Sequence, residues 1–189
     1  MLSSQLLSAV SSGHLGLAME SAAVLGLAAG CETNARSLVE AKDGDLVASG
    51  LVPLLHGGTT SSVHDPRLKL GAKAAAVLCC ASLAQHFGCV EALVSGGAFD
   101  QLVHIVDAEM KSPTLPPALL GAACAALGSC AVVPQQAAAL RSSGLEDQML
   151  AMKNSLEETP LDLSQAGLLE SSTAALAAIE RFAHLCPEK

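Results

Sequence analysis

The chain of 189 residues has no tryptophan and no tyrosine, only three phenylalanines, and just 15 residues that are Val or Ile. Strands favour these types, so β-sandwiches, β-barrels and parallel-sheet enzymes lack their usual material here. Charge is also scarce, at 15% of residues against roughly 25% in ordinary soluble domains. Basic residues are the scarcest charged group. Ten Lys and Arg face 18 Asp and Glu, for a net charge of −8. Arg67, Lys69 and Lys73 come nearest to a cluster and read as a solvated helix face. Nucleic-acid binding, which rests on displacing phosphate counterions with basic patches, is therefore not expected.

The first basic residue is Arg36, so the opening segment has neither the charged start of a secretory signal nor the arginines of a mitochondrial presequence. A disulfide framework is missing too. The seven cysteines (31, 79, 80, 89, 124, 130, 186) are odd in number and fall mostly in Ala-rich runs, where free Cys packs as a small hydrophobe. A reducing compartment follows as the expectation. The cytoplasm fits, with cytoskeletal and nuclear locations left open.

What the chain does have is Ala (34) and Leu (32), together 35% of it. Both lose little conformational freedom in a helix, so the expected fold is all-α. One segment tests that expectation against a membrane. Residues 112–140 carry no Asp, Glu, Lys or Arg, and the apolar stretch 115–133 is long enough to span a bilayer. It begins at Pro116-Pro117, is built from Ala, Gly, Cys and Ser, and lacks flanking basic or aromatic anchors. A buried helix of a soluble domain is the expected reading.

Two internal series organise the chain. Ser49-Gly50, Gly96-Gly97 and Ser143-Gly144 place their second glycine at steps of 47, each with a Leu four residues earlier (Leu46, Leu93, Leu140). In the Ala-rich segments, Leu17 and Leu25, Leu70 and Leu78, Leu119 and Leu127, and Leu168 and Leu176 recur at steps of 53, 49 and 49. Each unit reads as a long helix, a connector and shorter helices around the Gly turn. Leu70, Ala74, Val77, Leu78 and Ala81 share one helical face, the expected core stripe. Asp65-Pro66 and Pro116-Pro117 mark helix starts. Residues 57–62 and 111–117 read as loops too short to divide domains, so one domain over 1–189 is expected.

Segments such as Leu46-Val47-Ala48-Ser49-Gly50-Leu51-Val52-Pro53-Leu54-Leu55 and Val90-Glu91-Ala92-Leu93-Val94-Ser95-Gly96-Gly97-Ala98-Phe99 resemble armadillo repeats. HEAT repeats are the second reading. The resemblance covers most of residues 13–186. It implies a right-handed α-solenoid of about four repeats whose concave side binds other proteins without catalysis. The chain departs from the members that grip extended peptides through Trp and Asn ladders: it has no Trp, and its two asparagines, Asn34 and Asn154, lie outside the long helices.

The glycines of residues 57–62 have no Lys where a phosphate-binding loop needs one, and read as a flexible connector. Cys79, Cys80, His86 and Cys89 lie within eleven residues, but adjacent cysteines point about 100° apart on a helix and cannot both reach one ion. No metal, cofactor or catalytic group is expected. The candidate partner surface is instead the small-residue side of the Ala-rich helices: Met19 and Ala23; Ala72, Ala76, Cys79 and Leu83; Gly121, Ala125, Gly128 and Val132. In the fourth copy it becomes polar with Glu170 and Arg181, as a solvent-facing cap would. These faces serve either as a groove for an apolar helix of another protein or as plain interior packing. The expected function is a non-catalytic protein-binding scaffold, or alternatively a structural subunit of a larger assembly.

Overall fold

The computed structural model describes residues 2–41, 45–57, 65–158 and 162–186, and among them every regular element is helical. After α1 (Leu2–Val10) come α2 (Leu15–Ala28) and α3 (Glu32–Val39). A π-helical segment, Leu46–Leu51, then runs straight into α4 (Val52–Leu55). Next are α5 (Pro66–Ala84), α6 (Phe87–Ser95) and α7 (Ala98–Lys111), followed by α8 (Pro117–Cys130), α9 (Pro134–Ser142), α10 (Leu145–Glu157) and α11 (Leu163–Ala183). The chain order is thus an Ala-rich helix, a short helix and a third helix, three times over, closing on a fourth Ala-rich helix. The expected loop over residues 57–62 lies, apart from Gly57, outside the described residues.

Local chemistry explains where the helices begin. Asp65 Oδ1 accepts from the Arg67 amide at 2.9 Å and Pro66 occupies the first helical position, so α5 starts where a missing N–H costs nothing. α8 likewise begins on a proline, Pro117, but without a side-chain cap. Asp162 caps α11 through the Gln165 amide at 2.8 Å, while the Gln165 side chain accepts from the Asp162 amide at 3.1 Å, a complete capping box. Two of the three expected Gly turns have left-handed glycines, Gly97 at φ 82° and Gly144 at φ 75°. The first does not. Gly50 sits inside the π-helical segment, where a Cβ would lie 2.7 Å from Val10 Cγ1.

The contacts gather into two compact units, Met1–Gln101 and Leu102–Lys189, and the division runs through α7 rather than through either loop. In the first unit α2 packs along α5. Gly71 lies beside the Met19 sulfur, and a Cβ on Gly26 would come within 3.1 Å of Cys79 Cα, 53 residues on. In the second unit α8 packs along α11, with Gly121 against Leu168 and Gly128 against Ala175, each 47 residues on. Constant steps of the same sign mean that each pair runs parallel and nearly flush at its N-terminal ends.

The seam between these helices is made of small residues, which corrects the expected core stripe. Ala72, Ala75, Ala76, Val77, Cys79, Cys80, Leu83 and Ala84 are the buried residues of α5, whereas Leu70 and Leu78 are exposed. Only Val77 of the expected stripe is fully buried. Leu127 is buried at 0% exposure, yet its counterpart Leu78 is 52% exposed.

A close seam leaves no room for an extra methyl. Gly128→Ala would set its Cβ 2.8 Å from Ala175 Cα, a backbone atom that cannot turn aside, and is expected to cost about 1–3 kcal/mol. Gly167→Ala meets nothing within 4 Å in α11 and should raise stability by roughly 0.5–1 kcal/mol through helix propensity. Denaturant melts of the two variants check the opposite signs.

Candidate interaction surface

The predicted site residues divide sharply by burial. Ala72, Ala76, Cys79, Leu83, Gly121 and Gly128 are buried, with Ala72, Ala76, Cys79 and Leu83 at 0% exposure. Cys79, Gly121 and Gly128 lie against helices of their own unit, and all six are closed to solvent, so they do not line an open groove in this structure. Met19 is half-buried against Gly71. Ala23, Ala125, Val132, Glu170 and Arg181 are exposed, and the Arg181 guanidinium lies 5.4 Å from the centre of the Phe182 ring.

The solvent side of the first unit carries what the sequence reading assigned to the core. On α2, Leu17, Val24 and Leu27 are exposed at 53%, 46% and 84%, and their spacing puts them within one third of the helix circumference. On α5, Leu70 and Leu78 stand on one exposed side with half-buried Ala74 and Ala81 between and beyond them. Glu20 on α2 and Arg67 on α5 are exposed as well, so each stripe has a charge beside it. Of the Leu series recurring at 53, Leu17, Leu70 and Leu78 are exposed and only Leu25 is buried. The missed clue was glycine: a helix-interior Gly weakens the helix and is kept where another backbone approaches, so Gly26, Gly71, Gly121 and Gly128 mark the seams.

The other chemical candidates resolve into packing. The His86 ring Nε2 lies 2.8 Å from the Ala29 carbonyl oxygen, joining the start of α6 to the end of α2. Cys79 and Cys80 are fully buried and Cys89 nearly so. Burial pushes the thiols of Cys79, Cys124 and Cys130 up to about 12, far from a reactive thiolate. Burial also raises the Cys89 thiol, partly offset by Arg36. Among the described residues no three His, Cys, Asp or Glu side chains converge as a metal ion would require.

Also among the described residues, no single helix is long and apolar enough to cross a membrane. The charge-free stretch forms α8, whose 14 residues extend about 21 Å, short of the roughly 30 Å hydrocarbon layer. Helices α6 and α7 reach the required length only together, and they meet at a bend of 80°.

Fold and surface together define an all-α protein with parallel, glycine-seamed helix pairs and an exposed apolar stripe on each of α2 and α5. Comparison with protein-family models, with curated proteins and with solved structures gives no match to this chain.

Proposed function

We propose that the chain is a non-catalytic protein-binding scaffold of armadillo-like construction, a right-handed solenoid of about four units that acts in the reducing cytoplasm. The recurring order of Ala-rich, short and third helices, with parallel seams at steps of 53 and 47, supports that construction. The observation that carries the binding role is the set of large apolar side chains left in water on α2 and α5. Full burial would gain roughly 1.5–3 kcal/mol at Leu27 and about half as much at the half-exposed Leu78, so an apolar helix laid over them is a favourable occupant.

Leu27→Glu with Leu78→Glu tests the reading, because both side chains already face solvent and the double variant is expected to keep the wild-type circular dichroism and melting curve. Cross-linking affinity capture followed by mass spectrometry should show partners of the wild type lost or reduced about tenfold, the equivalent of 1.4 kcal/mol. A folded double variant that retains every partner removes this surface from the proposal. Ala76→Glu is the contrasting change: it places a charge at a fully buried seam and is expected to unfold the first unit. A second reading, a subunit of a larger assembly, is favoured by Phe87, Leu163 and Leu185, which are exposed outside the α2 and α5 stripes. Under that reading the isolated chain self-associates, and sedimentation distinguishes the two.

A further inference from the structure

The second unit contains a cleft of about 680 Å³, within the roughly 300–1,000 Å³ typical of small-molecule sites. The end of α7, the loop after it, the start of α8, one side of α10 and the start of α11 surround it. Hydrocarbon and thioether dominate the lining, from Met110, Leu115, Leu120, Met152, Leu156 and Leu168. Water in such a space finds few of the roughly two to four polar partners that hold a water molecule in place, so an apolar molecule displaces it favourably.

Hydrogen bonds hold the walls in position. The buried Glu109 carboxylate on α7 accepts from the Thr114 and Leu115 amides at 2.5 and 2.8 Å and from the Thr114 hydroxyl at 2.6 Å, which fixes the loop before α8. Gln148 Nε2 on α10 donates to Asp107 Oδ1 on α7 at 2.9 Å. The capping box of Asp162 and Gln165 fixes the first turn of α11. A cleft tied in this way is preorganised, and an occupant spends little on ordering it.

The charge on the lining is already committed. Among the described side chains that line the cleft, only Glu109 and Lys111 are charged. The Glu109 oxygens are taken by the loop, and Lys111 Nζ pairs with Asp107 Oδ2 at 2.7 Å. An ionic ligand would therefore be buried without a counter-charge, at far greater cost than hydrocarbon.

We propose that this cleft binds a neutral hydrocarbon molecule that needs no polar group of its own. Dispersion and the release of water hold it, and the flexible, polarizable side chains of Met110 and Met152 adjust to its outline. The cleft lies within the second unit and the α2 and α5 stripes within the first, so failure of either proposal leaves the other standing.

The test uses the full chain and N-phenyl-1-naphthylamine, a neutral dye that fluoresces in apolar surroundings. Saturable fluorescence at one dye per chain is expected, displaced by naphthalene or by n-octane. Either result supports the site, and the better of the two names a fused ring or a chain as occupant. That hydrocarbon should compete within about threefold of its own alcohol, 1-naphthol or 1-octanol. Its charged relatives, 1-naphthoate and 1-naphthylmethylammonium or octanoate and octylammonium, should compete at least about tenfold less well. Ala151→Trp fills the cleft from an exposed lining position and should weaken dye binding at least about tenfold. Met152→Trp takes its place if that variant melts lower than wild type. Absence of saturable binding, or binding untouched by both tryptophans, overturns the site. Dye lost on Leu78→Glu instead places it on the α5 stripe and likewise overturns the site. Equal competition by charged and uncharged relatives overturns the neutral assignment, and an alcohol at least about tenfold better than its hydrocarbon shows that a polar group is required and overturns the apolar one.

Discussion

Raising the pH from 9 towards 12 is expected to unfold this protein. The thiols of Cys79, Cys124 and Cys130 move from an ordinary value of 9.0 to about 12 because burial strips water from the thiolate. A group whose folded value is raised contributes stability that is intact below its unfolded value and lost as pH climbs towards its folded value. Above pH 9 the unfolded chain releases protons that the folded chain retains, so each thiol removes up to about 1.4 kcal/mol per pH unit. Cys124 and Cys130 lie in the second unit, and Cys79 and Cys89, both raised by burial, lie in the first, so both units lose stability as the pH climbs. Against a typical total of about 5–15 kcal/mol, such slopes are enough to end the folded state within the window. The check is circular dichroism against pH, with thiolate absorbance followed in parallel. Without tyrosine, no tyrosinate signal overlaps it. Replacing Cys124 and Cys130 by Ala should move the alkaline midpoint of the second unit upward, and an unmoved midpoint would show that these thiols are already ionised or hydrated in the fold.

Leu127→Ala should cost about 2–5 kcal/mol, because it empties a side chain with 0% exposure. Leu78→Ala should change stability by no more than about 0.5 kcal/mol, since half of that side chain is already in water. The two residues occupy equivalent places in the recurring Leu series, so the periodicity alone assigns them one fate. Denaturant midpoints that shift equally would restore the stripe of Leu70, Ala74 and Leu78 as core and remove it as a binding surface.

Much of the fold was readable before any coordinates, for local reasons. Proline at the first helical position located α5 and α8, the absence of β-branched and aromatic residues excluded sheet, and Gly97 and Gly144 sit at turns that need positive φ. Which face is inside was not readable. α2, α5 and α8 are apolar or small on nearly every side, so a 3.6-residue period has no polar face to set against the core, and leucine size drew the reading to the wrong side. The Gly50 turn was misread because Asp45, which accepts from both Val47 and Ala48, starts a π-helical turn there. The cleft was invisible for a different reason. Met110, Leu120, Met152 and Leu168, which line the cleft in the second unit, come from α7, α8, α10 and α11, belong to no motif, and are brought together only by tertiary packing.

Parallel pairing has an electrostatic consequence. Helices that lie side by side, point the same way and start level bring their positively charged dipole ends together, which is repulsive, in contrast to the mutual cancellation of an antiparallel pair. In each unit one helix of the pair begins on an aspartate: Asp65 at α5, Asp162 at α11. The neighbours α2 and α8 begin on His14 and Pro116, neither of which supplies a side-chain cap. One carboxylate therefore stands at the head of two adjacent dipoles, and its negative charge offsets the repulsion that shared direction creates as well as satisfying its own helix.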